Sequence, residues 1–130
     1  MKEEIATLVK YRLEQAEAAL GDAEFLMSGN RTPHSIINRA YYAMFYAALA
    51  LLQTTGSIPS KHAGVIGLFD TQFVQKGLFS REMSQGFHKA FELCRNADHR
   101  ALHAPSRDQA QDMLVMAYHF VRSIRDYLSR

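Results

Sequence analysis

The segment Ser35–Leu52, SIINRAYYAMFYAALALL, constrains this chain more than any other. It is too apolar for a helix lying on a surface. A membrane-spanning helix needs about 20 mostly apolar residues, and the unbroken apolar run Ala40–Leu52 falls short of that. A helix of this kind has to be enclosed by protein on more than one side. On a repeat of about 3.6 residues per turn, Ile37, Tyr41, Met44, Ala48 and Leu51 share one face, while Arg39, Tyr42, Tyr46 and Leu49 lie on another. If only the first face packs into the monomer, the second is left as an apolar strip, and monomers rarely expose large contiguous patches. Either the tyrosines lie under neighbouring helices with their hydroxyls bonded to groups such as Arg39, or Tyr42, Tyr46 and Leu49 form a two-fold interface of a homodimer.

The remaining elements are helical by their periodicity. Ile5, Val9, Leu13, Ala16, Leu20, Ala23 and Met27 recur at helical spacing and predict a first helix from Glu3 to Met27, closed by the turn at Ser28–Asn30. Thr32 and Pro33 cap and open the second helix, which runs to about Gln53 and stops near Gly56. A short third helix opens at Pro59–Ser60 and ends at Gly77, and Ser80 caps a fourth carrying Met83, Phe87, Ala90, Phe91 and Cys94. Pro105 breaks the chain before a last helix that opens with a capping box of Ser106 and Gln109. No strand pattern, repeat or linker stands out. The expectation is an all-α single domain over residues 1–130, an up-down bundle of four main helices plus a short fifth.

Composition narrows the class. Hydrophobic residues make up 48% of 130 residues, enough for a core without a disulfide or a metal. The lone Cys94 reads as a buried structural thiol in a reducing cytoplasm. The N-terminus, MKEEIATLVKYRLEQAEAAL, lacks a signal-peptide layout, so a cytoplasmic location is expected. A net charge of +2 permits contact with RNA without arguing for it.

The chemistry-bearing residues gather on the fourth helix. His88, Glu92, Arg95 and His99 recur at four, three and four residues and share one face, with Asn96, Asp98, Arg100 and His103 crowding the helix end. Read as plain surface, Glu92 and Arg95 form an ion pair worth about 0.2–0.5 kcal/mol, and the basic residues complement the helix dipole. Read as a site, a histidine moves the proton of a ribose 2′-hydroxyl while arginine stabilises phosphate charge. There is no HExxH pattern and no Cys/His cluster, so neither a metal nor a cofactor is expected. His62 reads as a cap-region residue, and His34 and His119 as isolated surface histidines.

With the segments placed, INRAYYAMFYAALALL resembles the second-helix signature of HEPN-domain proteins, the higher eukaryotes and prokaryotes nucleotide-binding family. KHAGVIGLFDTQFVQKGLFSREM resembles that family's third helix and the loop after it, and FELCRNADH its arginine-bearing stretch; together they cover about Lys10 to Leu128. The resemblance implies a dimeric helical bundle from a prokaryote, often paired with a minimal nucleotidyltransferase in a toxin–antitoxin arrangement. In active members the toxin is a ribonuclease whose composite site forms across the dimer. The resemblance points to Arg95, His99 and His103 as catalytic candidates and to Asn96, Asp98, Glu92 and His88 as binding candidates. Active members place the histidine after four to six intervening positions, whereas here His99 comes after three and His103 after seven. The alternative is a non-catalytic HEPN module that binds a nucleotide or a partner protein.

The dimer expectation has a direct test. Tyr46→Glu places a charge in the proposed two-fold contact, and light scattering of the concentrated protein should shift from dimer mass toward monomer mass.

Overall fold

The structure, a computed structural model, describes residues 2–95 and 104–130. Among these residues the elements are α1 (Glu3–Ser28), α2 (Pro33–Gln53), α3 (His62–Phe69), a π-helical turn (Asp70–Val74), α4 (Arg81–Arg95) and α5 (Arg107–Leu128), with no strand.

The helix boundaries follow local chemistry. Thr32 Oγ1 accepts from the Ser35 amide at 3.4 Å, and Pro33 occupies the first turn of α2, where a missing amide costs nothing. Ser80 Oγ accepts from the Met83 amide at 3.2 Å to cap α4. At α5 the capping box is complete: Ser106 Oγ accepts from the Gln109 amide at 3.1 Å and Gln109 Oε1 accepts from the Ser106 amide at 2.9 Å. Gly56 and Gly77 both adopt φ +79°, the left-handed conformation that lets the chain leave α2 and the π-helical turn. The π-helical turn has no counterpart in the periodicity. One extra residue per turn barely disturbs an apolar pattern five residues long.

α2 is the axis of the bundle, packing against α1, α5, α4 and α3. From Ala47 to Leu52 every residue is buried, which accounts for a segment apolar on all sides. Leu49 belongs to this enclosed half and is only 6% exposed, so its side chain is spent on the chain's own core rather than left on a strip. The half-buried residues of the second face are Tyr42 and Tyr46, nearer the start of the helix. Alanines at positions 40, 43, 47, 48 and 50, all buried, let α1, α4 and α5 approach closely. Larger side chains fill the space between helices: Phe69, Phe87 and Phe120 meet with ring centroids 4.9–5.9 Å apart, joining α3, α4 and α5.

Gly86 marks a close contact between α4 and α5. A Cβ there would lie 2.5 Å from Met116 Cγ and 2.7 Å from its Sδ. Gly86→Ala should therefore lower stability by about 1–3 kcal/mol in urea unfolding. Combined with Met116→Ala, it should cost less than the sum of the two single changes, because the clash is then removed.

Candidate functional site

The first half of α2, the start of α3 and the last turns of α4 meet at one end of the bundle. Their side chains build a continuous aromatic ledge. Tyr41, fully buried on α2, lies 5.3 Å from Tyr42, 5.7 Å from Phe91 and 5.8 Å from His62 between ring centroids. His62 stacks on Phe45 at 4.1 Å and meets the edge of Tyr42 at 5.8 Å. Tyr42, Tyr46, His62 and Phe91 are half-buried and form the outer part of the ledge.

Two arginines flank it. The Arg95 guanidinium lies over the Phe91 ring at 5.4 Å, and that of Arg39 over the Tyr42 ring at 5.1 Å. Arg39 is further held by Asn38, whose Oδ1 accepts from Nε at 3.2 Å and from Nη2 at 3.0 Å. Asn38 in turn donates from Nδ2 to Cys94 Sγ at 3.5 Å, tying α2 to the residue that precedes Arg95. Burial pushes the Cys94 thiol up, partly offset by the Asn38 hydrogen bond and the Arg39 charge. The structural-thiol reading of Cys94 agrees with this: a protonated, half-buried sulfur serves as a hydrogen-bond acceptor.

His62 is more than a cap residue. Its Nδ1 lies 2.9 Å from Tyr41 Oη. Burial, with the charges of Cys94 and Tyr42 as smaller causes, pushes the Tyr41 phenol far above its usual range. The two groups share this hydrogen bond, its donor being set by which ring nitrogen of His62 carries the proton. Sequence spacing gave no hint of this, because the contact joins residues 21 positions apart.

The candidates from the fourth helix separate in space. Arg95 is exposed at the end of α4, and Glu92 is exposed one turn before it. The described ion pairs do not join them, and the guanidinium lies on Phe91 instead. That corrects the surface ion pair expected from their spacing: the ring attracts the cation and also covers its apolar stem. His88 Nε2 contacts Asp70 Oδ2 at 2.6 Å, and Ser84 Oγ donates to Asp70 Oδ1 at 2.7 Å. His88 thus clamps α4 to the π-helical turn, two turns from Arg95. Asn96, Asp98, His99 and His103 lie outside the described residues. His119 is exposed, whereas His34 is half-buried with Nδ1 enclosed and unpartnered, unlike the isolated surface histidine expected.

Among the described residues, no three His, Cys, Asp or Glu side chains come together as a metal would require, and no helix is long and apolar enough to cross a membrane. The ledge can stack planar rings, and its two guanidiniums can contact phosphate oxygens.

Comparison with known proteins agrees with the architecture. The sequence profile described as HEPN domain matches residues 9–127. The chain belongs to the HEPN family. A Methanocaldococcus jannaschii protein that carries the name "Putative toxin" is 34% identical over 98% of this chain and 91% of its own length. A second protein of that organism with the same designation is 28% identical over 89% of this chain and 78% of its own. A Thermotoga maritima relative, named only as a UPF0332 protein, is 32% identical over 90% of this chain and 88% of its own. The HEPN chain described here thus has toxin-named relatives along nearly its whole length.

Tyr41 supplies a pH test of the ledge. The phenol ionises near pH 10 when unfolded and well above that when folded. The unfolded state therefore binds fewer protons over this window, and stability falls as pH rises above about 10. Urea unfolding at pH 9 and pH 11 should show this fall, and Tyr41→Phe should reduce it.

Proposed function

We propose that this HEPN protein is the toxin of a toxin–antitoxin pair, a dimeric, metal-independent ribonuclease whose partner is a minimal nucleotidyltransferase. The observation that carries the reading is the match, over 98% of the chain, to a relative named as a toxin. The exposed position of Arg95 beside the aromatic ledge supports it, since a strand of RNA needs both phosphate and base contacts.

The proposed chemistry uses the substrate's own nucleophile. A histidine, His99 or His103, takes the proton from a ribose 2′-hydroxyl, and the oxygen attacks the adjacent phosphorus. The bond from phosphorus to the 5′-oxygen breaks as that oxygen gains a proton from a second histidine, leaving a 2′,3′-cyclic phosphate and a 5′-hydroxyl. Arg95 stabilises the charge that builds on the non-bridging oxygens. Because the nucleophile is internal and its proton goes to imidazole, the step needs no oxidant, reductant or metal. In a homodimer the two Arg95 regions would face each other and share the acid and base roles, with Tyr42 and Tyr46 in the two-fold contact. Asn96 and Asp98 would bind substrate beside Arg95. Glu92, one turn back, would face the same groove, while His88 is already engaged by Asp70.

A second reading has its own support in the irregular spacing of His99 and His103 from Arg95. On that reading the same surface binds a nucleotide or a partner protein without cleaving RNA.

Expression of the chain alone in bacteria separates the two. A ribonuclease should arrest growth and degrade RNA, and Arg95→Ala should reduce cleavage by about 10²–10³-fold. His99→Ala or His103→Ala should restore growth. Normal growth with intact RNA from a well-expressed wild-type chain would leave the binding module as the surviving reading.

A further inference from the structure

The ribonuclease reading uses Arg95 and leaves unexplained the most carefully held cation of the bundle. Arg39 is half-buried and fixed three ways: two hydrogen bonds to Asn38 Oδ1 and a seat over the Tyr42 ring. Among the described residues its Nη1 has no partner. Holding a long, rotamer-rich side chain in one geometry costs conformational entropy. No carboxylate forms an ion pair with it among the described residues.

Arg39 borders a cavity of about 320 Å³ that is lined by Leu26, His34, Ser35, Asn38 and Arg39. One wall holds His34, whose Nδ1 is enclosed without a hydrogen-bond partner. An unsatisfied buried polar atom is destabilising, and such atoms in a native structure call for an explanation. The cavity and the ledge adjoin, because Arg39 lines the first and covers Tyr42 of the second.

Two further arginines stand near the start of α2. Arg107, at the start of α5, donates to Asn30 Oδ1 at 2.7 Å and to the Met27 carbonyl at 3.3 Å, which brings it to the α1–α2 turn beside Arg31. Arg31 and Arg107 therefore stand at the α1–α2 turn, a few residues before the start of α2. Cations interleaved with half-buried aromatic rings are the surface that single-stranded nucleic acid binds: guanidiniums follow the phosphates and rings stack the bases.

We propose that Arg39 is a second phosphate contact for single-stranded RNA, beside the aromatic ledge that also carries Arg95. Arg39 is a positioning residue: it holds the strand in register while Arg95 attends the reacting phosphate. The inference rests on the ribonuclease reading for the identity of its ligand, but it concerns binding rather than cleavage.

The test uses a single-stranded RNA oligonucleotide with 2′-O-methyl riboses, which cannot be cleaved, and fluorescence anisotropy over a range of salt concentrations. Wild-type protein should bind. Arg39→Gln should weaken binding at least about tenfold and lower the log–log salt slope by about 0.7, the value of one lost phosphate contact on a single strand. Arg39→Lys should keep the slope, because the charge is retained. Arg130→Gln removes the same charge beside Tyr127, at the opposite end of the bundle, and should change neither quantity. Thermal unfolding confirms that each variant is folded; if Arg39→Gln is not, Arg39→Met, which removes the charge and keeps an apolar stem over Tyr42, decides. Wild-type affinity and slope in Arg39→Gln, or an equal loss in Arg130→Gln, would overturn the inference while leaving Arg95-dependent cleavage intact. A wild-type protein that binds no RNA would overturn both.

Discussion

The enclosure of α2 is the constraint on which the rest of this structure depends. A helix with no polar side along Ala47–Leu52 is stable only when other helices cover it all round. α1, α4 and α5 supply that cover, and the small α3 closes the remaining gap. The abundance of alanine makes close approach possible, because a methyl group lets neighbouring backbones come near without leaving a void. Bulky rings fill the space between α3, α4 and α5, at Phe69, Phe87 and Phe120. Thus a single sequence segment sets the number of neighbours, their spacing and the places where aromatic side chains are needed.

The same helix changes character along its length. Its second half is spent on the core, while its first half mixes tyrosines with Asn38 and Arg39 and reaches the surface. The ledge arises there because α4 ends against it and α3 begins beside it. Tyr41 shows how the two roles join: its ring is core and its hydroxyl shares a hydrogen bond with half-buried His62. Asn38 does the same with polar groups, linking the Cys94 thiol on one side to the Arg39 guanidinium on the other. A surface able to hold a charged ligand is therefore braced directly by the hydrophobic interior.

Much of the fold could be read from the chain before any coordinates. The helix starts at Thr32, Ser80 and Ser106 were legible because capping is local, involving residues only three apart. The apolar stripes of α1, α4 and α5 were legible because burial follows helical periodicity. The π-helical turn was not, since its one-residue offset leaves the pattern of so short a segment almost unchanged. The site was less legible still. His88 shares a face with Arg95 in the sequence, yet Asp70, 18 residues away, holds it. The bond from His62 to Tyr41 was not legible, because it joins two helices, and the seat of Arg39 over the Tyr42 ring was not read from their spacing.

The sequence by itself determined an all-helical bundle, the family to which the chain belongs and the burial of its second helix, since these rest on local propensities and the periodicity of apolar residues. Only the tertiary structure decided which polar residues stand together. It separated His88 from Arg95, spent Leu49 on the core, and set Arg39 and Arg95 beside one aromatic ledge. The physical reason is that a side chain's charge and hydrogen bonds act over a few ångströms in space. The residues that meet at this end of the bundle are tens of positions apart along the chain.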